Sequence, residues 1–190
     1  MDQRALLGFS LEELRRVASS LDDSEMGTVT NCEPWTVRQL ASHALNNQLL
    51  WGGVVTGQEL VSVEETMGAV PHDGDLASFA HDSVQRSLAM WDTEGVIEAV
   101  HATPFGELPG SVVIDFPTID ALAHAWDLSA SVGDPVEFPP ETIPTITALV
   151  DRVCTDAIRD LGLIKPATEP PADATATERL MAIAGRTISR

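Results

Sequence analysis

A helix-capping residue followed by apolar residues at intervals of three and four recurs along this chain of 190 residues. The first such signal is Ser10, which has capping-box spacing in SLEE and predicts a helix to about Ser20. Thr36, with Gln39 three residues later, predicts the start of a second helix, and Asp75 opens a third. Each helix has an apolar side that a partner must cover, so we expect the helices to pack together.

Further helical signals lie at the chain start and beyond the third helix. Residues 3–8 can extend the first helix at its N-terminal end. Pro117 lies in a helix-start position, and Gly133 ends this fourth helix. A fifth helix is predicted over residues 141–161 and a short last one over residues 178–184. Amphipathic helices joined by modest loops predict an all-α helical bundle.

The segment between the third and fourth predicted helices has a different composition. HATPFGELPGSVVIDF, residues 101–116, is interrupted by Gly106, Pro109 and Gly110 and ends in the apolar run from Val112 to Phe116. This pattern of glycine and proline residues predicts a short irregular hairpin that ends in the apolar run.

The length of the chain suits one well-buried domain and is short of two. We expect residues 1–165 to form the bundle. The stretch 166–177 is rich in Pro, Ala and Thr and is predicted to be a linker. Residues 166–190 would then form a linker and a short helix packed on the bundle.

The composition excludes several classes of partner. The chain has 29 acidic and 11 basic residues and a net charge of −18, which repels nucleic-acid phosphates and anionic bilayers. No stretch approaches the roughly 18 uninterrupted apolar residues of a membrane span. We therefore expect a soluble, cytoplasmic protein, with Cys32 and Cys154 as free thiols. The sequence leaves open whether the protein is a monomer or a homodimer.

Asp120 and His124 are four residues apart on the fourth predicted helix, which puts both side chains on one helix face. A carboxylate and an imidazole are common ligands of zinc and similar divalent ions, but a site needs a third ligand. His43, at the border of the apolar face of the second helix, is the candidate. The alternatives are a surface ion pair for Asp120 and His124 and a hydrogen-bonded core position for His43.

Several neighbouring residues carry weaker signals. Asp127, one turn beyond His124, is a candidate to orient a ligand imidazole, with a helix-surface carboxylate or a structural hydrogen bond as the alternative. Trp35 and Trp126 are expected to be core anchors. We interpret Cys32 as structural, because nothing near it in the sequence would lower its pKa.

Three blocks of the chain, in order, resemble one family. CEPWTVRQLASHALN, residues 32–46, resembles the segment C-x-x-W-[ST]-V-R-x-L-x-x-H-x-x of actinobacterial proteins related to mycothiol-dependent maleylpyruvate isomerase, within the DinB-like superfamily. DALAHAWDLSASVG, residues 120–133, is similar to that family's E-x-x-x-H-x-W-D-L-A-x-A-x-G. PADATATERLMAIAGR, residues 171–186, resembles its closing stretch, in which an Arg-Leu-containing helix precedes Gly-Arg.

The resemblance implies a DinB-like four-helix bundle that holds a divalent metal, with the hairpin between helices three and four and additional C-terminal helices. Carried over by motif, the metal ligands are His43, Asp120 and His124. The family usually has Glu where this chain has Asp120, which is shorter by one methylene. Zinc is the first expectation, with nickel, iron or manganese as alternatives. The motifs identify no catalytic residue beyond these ligands.

Three protein ligands with an open position are typical of a catalytic metal. The resemblance implies that mycothiol coordinates the metal as a thiolate and attacks a small electrophile. The predicted activity is therefore that of a metal-dependent thiol transferase or isomerase. The residues also allow a metal-dependent hydrolase or lyase that uses water in the open position, or a non-catalytic module that binds a metal or small molecule.

Overall fold

The computed structural model describes residues 1–68 and 70–188. In chain order its elements are α1 (Gln3–Ser20), α2 (Val37–Thr56), α3 (Val63–Thr66), α4 (Leu76–Trp91), β1 (Val100–Thr103), β2 (Gly106–Pro109), α5 (Gly110–Val113), α6 (Asp115–Ser131), α7 (Ile143–Val153), α8 (Asp156–Asp160) and α9 (Ala176–Ile183). The four long helices and the single small hairpin confirm the predicted all-α bundle.

The bundle is a closed arrangement of α1, α2, α4 and α6. Helix α1 packs against α4 and α6, and α2 packs against the same two helices. The core between them consists of fully buried aliphatic side chains, among them Leu11, Leu14, Leu40, Leu45, Val84 and Leu128. Helices α2 and α6 are antiparallel, because His43 faces His124 while the later residue Gln48 contacts the earlier Asp120. This antiparallel packing brings the candidate ligand on α2 next to the two candidate ligands on α6.

Capping residues explain where the long helices begin. Asp2 accepts a hydrogen bond from the backbone N–H of Ala5, so α1 begins at Gln3. This start confirms the predicted extension of the first helix over residues 3–8. Ser10 lies inside this helix and donates to the carbonyl of Leu7 instead of capping. Thr36 forms the predicted capping box at the start of α2, and Asp75 caps α4.

The hairpin lies where it was predicted, but the apolar run after it is helical. Antiparallel β1 and β2 pair Val100 with Pro109 and Thr103 with Gly106. The run from Val112 to Phe116, predicted to end the hairpin, lies instead in α5 and the first turn of α6. A Cβ at Gly110 would lie 2.0 Å from the carbonyl oxygen of Val96, so the chain turns tightly there and enters α5 directly.

The predicted fifth helix is broken into α7 and α8. Thr155 has an extended backbone between them, and its carbonyl accepts from the N–H of Ile158 to begin α8. The carbonyl of Cys154, which the break exposes, accepts a hydrogen bond from Nη2 of Arg159. The break is therefore compensated by a side chain that periodicity alone does not reveal.

The last helix, α9, packs on the outside of the bundle. It begins at Ala176, two residues before the predicted start, behind a capping box formed by Thr175 and Glu178. Leu180 and Met181 are buried in a second core with residues of α6 and α7. The division of the chain at residue 165 stays a prediction.

Within residues 1–68 and 70–188, no helix combines the length and apolar character needed to cross a bilayer.

Candidate metal centre

His43, Asp120 and His124 lie together where α2 passes α6. One potential ligand atom from each lies within 4.8 Å of those of the other two. Their side chains are 14%, 15% and 10% exposed respectively. The group is therefore shielded by the bundle but still reaches the surface.

His43 is positioned by contacts on two sides of its ring. Its Nδ1 contacts the carbonyl oxygen of Thr66, at the end of α3, and its ring centroid lies 4.5 Å from that of Trp35. A carbonyl oxygen can only accept, so Nδ1 carries the hydrogen and the lone pair of the neutral imidazole is on Nε2. This Nε2 lies 3.7 Å from Oδ1 of Asp120.

Asp120 places its two oxygens in different surroundings. Oδ1 faces both imidazoles, 3.4 Å from Nε2 of His124 and 3.7 Å from Nε2 of His43. Oδ2 accepts a hydrogen bond of 3.2 Å from Nε2 of Gln48. Burial alone would raise the pKa of Asp120, but the two imidazoles, His124 foremost, hold the pKa of this carboxyl well below its usual range.

His124 is oriented by Asp127, one turn further along α6. Its Nδ1 lies 2.9 Å from Oδ2 of Asp127, and because a carboxylate only accepts, Nδ1 donates and Nε2 is left facing Asp120. Burial opposes the protonated form, yet the carboxylates of Asp120 and then Asp127 raise the pKa of His124 well above its ordinary value. Both imidazoles thus present Nε2 to one carboxylate oxygen.

Asp127 is fully buried and connects the site to the C-terminal segment. Arg186 donates to Asp127 from both Nη2, at 2.8 Å from Oδ2, and Nε, at 3.2 Å from Oδ1. The thiol of Cys32 donates to the same Oδ2 over 3.2 Å. Burial would raise the pKa of Asp127, but Arg186 and His124 hold it well below its usual range. The helix-surface alternative for Asp127 is therefore wrong.

A second group of potential ligands consists of Cys32, His124 and Asp127. In this group the carboxylate already has a cationic partner, since the guanidinium of Arg186 lies against it. A metal ion there would lie beside a fixed positive charge. The group of His43, Asp120 and His124 is therefore the better candidate.

The donor set of this group fits a divalent ion such as zinc. Two ligand atoms on a tetrahedral zinc ion, each at about 2.0 to 2.1 Å, are about 3.3 to 3.4 Å apart. The distances from Asp120 Oδ1 to the two Nε2 atoms are 3.4 and 3.7 Å. Two imidazole Nε2 atoms and one carboxylate are also a common ligand combination for zinc. Both distances lie close to the spacing expected around a zinc ion.

Several residues of the site were absent from the sequence prediction. Gln48 was missed because a glutamine on a helix gives no ligand signal. Arg186 appeared only as part of the closing Gly-Arg motif, with no role attached. Trp35, expected as a core anchor, is half-buried and lies against His43, whereas Trp126 is buried as expected.

Comparisons with known proteins point to one family. The family model described as the mycothiol maleylpyruvate isomerase N-terminal domain matches residues 8–129. Two uncharacterized proteins of Mycobacterium tuberculosis, from strains CDC 1551 and H37Rv, are each 28% identical to this chain over 167 residues, covering 86% of this chain and 86% of their own length. The matched family region includes all three candidate ligands.

Solved structures share the fold. The crystal structure of the mycothiol-dependent maleylpyruvate isomerase superposes with a TM-score of 0.60 at 22% sequence identity, covering 78% of this chain and 68% of that chain. The structure of a histidine-to-alanine mutant of that isomerase gives the same values. At this identity the likeness establishes the bundle fold.

Proposed function

The chain belongs to the mycothiol maleylpyruvate isomerase N-terminal domain family, and on that premise we propose that it is a metal-dependent thiol transferase or isomerase acting on a small electrophilic substrate. The proposed metal ligands are His43, Asp120 and His124, and the proposed thiol cofactor is mycothiol. Because a thiol cofactor requires a reducing compartment, the proposal keeps the predicted cytoplasmic location.

The observation that carries the proposal is the convergence of both Nε2 atoms on one oxygen of Asp120. In each histidine the other ring nitrogen faces an acceptor, the Thr66 carbonyl for His43 and Asp127 for His124. Metal-binding histidines commonly use their second nitrogen in this way, which fixes the tautomer and the ring direction.

Zinc or a similar ion held by His43, Asp120 and His124 would lower the pKa of a coordinated thiol and so make a nucleophilic thiolate available at neutral pH. Three protein ligands leave a further coordination position for that thiol. The charges of the site suit an anionic sulfur. Asp120 is the one carboxylate among the ligands, and the charge of Asp127 is offset by Arg186.

The residues around the ligands have distinct proposed tasks. Asp127 orients His124, and Arg186 keeps the buried carboxylate of Asp127 paired. Trp35 covers one face of His43 and helps to exclude water from that side of the site. Mycothiol held at this site would supply a nucleophilic sulfur. Its addition to a carbon–carbon double bond conjugated to a carbonyl would leave a single bond free to rotate, and elimination of the same sulfur would restore the double bond and return the thiolate.

An activity assay with separate control of metal and thiol tests this function. Protein loaded with zinc is mixed with mycothiol and with maleylpyruvate or a panel of small electrophiles, and loss of substrate and of free thiol are both followed. The proposal predicts turnover that requires both zinc and mycothiol. Turnover that requires zinc alone would contradict it in favour of a hydrolase or lyase, and zinc binding without turnover of any substrate would favour a binding module.

A further inference from the structure

We propose that Gln48 is a positioning residue of the candidate metal centre: it holds the carboxylate of Asp120 with Oδ1 directed at the two imidazoles and thereby sets the affinity for the metal. The inference rests on the proposed function, because it assigns a role toward the same ion. It concerns a residue on α2 that carries no ligand motif and lies outside the three-residue ligand set.

The geometry separates the two oxygens of Asp120. Gln48 Nε2 donates to Oδ2 over 3.2 Å, while Oδ1 lies 3.4 and 3.7 Å from the two imidazole Nε2 atoms. Rotation of the carboxylate out of this orientation would break the hydrogen bond from Gln48, so that contact opposes the rotation. Gln48 lies on α2, five residues after His43, so one helix supplies both a ligand and the brace for the ligand on α6.

The chemistry of the two partners fixes the orientation of the Gln48 amide. An ionised carboxylate is an acceptor only, and an amide has its donors on nitrogen. The opposite orientation would put the amide oxygen against Oδ2 and lose the hydrogen bond. The contact with Asp120 is therefore a donated hydrogen bond.

A purely structural role for Gln48 agrees poorly with its surroundings. The side chain is fully buried, and its Oε1 has no hydrogen-bond partner among the described residues. Burial of an unpaired amide oxygen is unfavourable, and an aliphatic residue of similar size would avoid that cost. The contact that distinguishes Gln48 from such a residue is the one with Asp120.

The hydrogen bond from Gln48 matters because the side chain of Asp120 is short. An aspartate carboxylate extends only one methylene from the backbone of α6, so few of its rotamers bring an oxygen between His43 and His124. Gln48 reaches this carboxylate from the opposite helix and selects one arrangement. A longer glutamate at position 120 would approach the ion by more routes and would depend less on Gln48.

Four proteins test the inference: the parent, Gln48→Met, Asp120→Glu and the double variant. Zinc affinity is measured by chelator competition, and the cobalt-substituted proteins give the ligand-field spectrum. We expect Gln48→Met to weaken zinc binding by about 10- to 100-fold and to change the cobalt spectrum. The same substitution should cost markedly less in the Asp120→Glu protein. Thr118→Val is the matched control, because it removes a buried hydrogen bond of α6 that touches no ligand.

The outcomes separate this inference from the proposed function. A parent that binds zinc together with an unchanged affinity and spectrum in Gln48→Met overturns the role of Gln48 alone. An equal loss of zinc affinity from Gln48→Met in the parent and in the Asp120→Glu protein also overturns it. The effect of Gln48 would then not depend on the carboxylate side chain that it is proposed to hold. A parent that binds neither zinc nor cobalt overturns the proposed function and this role with it. Should Gln48→Met fail to fold, Gln48→Asn, which retracts the amide by one methylene, must show the same loss.

Discussion

Nδ1 of His124 donates to Oδ2 of Asp127 over 2.9 Å, which directs Nε2 of the same ring toward Asp120. Asp127 is itself held by Arg186, ten residues after the start of α9 at Ala176 in a segment that packs outside the bundle. The direction of a candidate ligand on α6 thus depends on a residue near the C-terminal end of the chain. This dependence makes Asp127 the most informative residue outside the ligand set.

We predict that Asp127→Asn weakens zinc binding about 10- to 100-fold, because a neutral amide is a poorer acceptor for Nδ1 and supports a less basic imidazole. The variant should also lose stability, roughly 3 to 5 kcal/mol at most, because Arg186 is left without its charged partner. Chelator competition gives the affinity and urea denaturation gives the free energy of unfolding.

Asp115→Asn is the matched control for that experiment. Asp115 is also buried and also pairs with an arginine, Arg152, through two hydrogen bonds of 2.8 and 3.0 Å, but it touches no candidate ligand. The control should lose stability and keep its zinc affinity. Equal zinc affinities for both variants would show that Asp127 acts only in folding.

Removal of a ligand imidazole should remove the metal. We expect about one divalent ion per parent chain and less than a tenth of that in the double variant His43→Ala/His124→Ala, since two of three ligands are lost. Elemental analysis of protein purified without added metal or chelator gives the content, and far-UV circular dichroism checks that the helices persist. His81→Ala, at an exposed position on α4, should keep full occupancy. A fully loaded double variant would rule out these ligands.

The two conservative changes at position 120 should have different effects on zinc affinity. Asp120→Asn removes the negative charge that offsets the cation, so zinc binding should fall by at least tenfold. Asp120→Glu keeps the charge and lengthens the side chain, so affinity should be preserved or improved. Chelator competition at a single pH compares the two. Equal affinities of the Asn variant and the parent would mean that residue 120 is not a ligand.

Metal affinity should depend on pH through His124. The carboxylates of Asp120 and Asp127 raise the pKa of His124 in the absence of metal, so the ion must displace a proton from the imidazole. Zinc affinity should therefore fall as pH decreases through this raised pKa.

The metal-free protein should show the opposite trend in stability: the contribution of protonated His124 is complete below the unfolded-state pKa and is lost as pH rises through the folded-state value. Competition titrations and denaturation curves between pH 6 and 9 measure both, and a pH-independent zinc affinity would refute the proton displacement.

The sequence predicted the long helices because each carries its own local signals. The capping box of Thr36 and Gln39 and the cap at Asp75 are contacts over three residues, and the structure contains both. Where the secondary structure of a segment depends on contacts with residues distant in the sequence, local patterns predicted it wrongly. The apolar run from Val112 to Phe116 satisfies a strand pattern equally well, but close packing of Gly110 against Val96 directs it into helices.

The candidate metal centre also combines residues that local spacing predicts with residues that only distant contacts bring in. The spacing of Asp120 and His124 is visible in the sequence. The place of His43 on a second amphipathic helix made it the candidate third ligand, and the family resemblance supported that choice. Gln48 and Arg186 lie 72 and 59 residues from their partners Asp120 and Asp127, so no periodicity connects them. Their roles follow only from the antiparallel packing of α2 on α6 and from the return of the C-terminal segment to the bundle.

In the proposed function, His43, Asp120 and His124 bind one ion with a position open to a thiol. The most direct measurement is a titration of the cobalt-substituted protein with mycothiol, followed by absorption in the thiolate-to-cobalt charge-transfer region. We predict a new charge-transfer band that saturates at one thiol per cobalt and is absent from the His43→Ala/His124→Ala variant. An unchanged spectrum in protein that retains its cobalt would contradict thiol coordination and with it the proposed function.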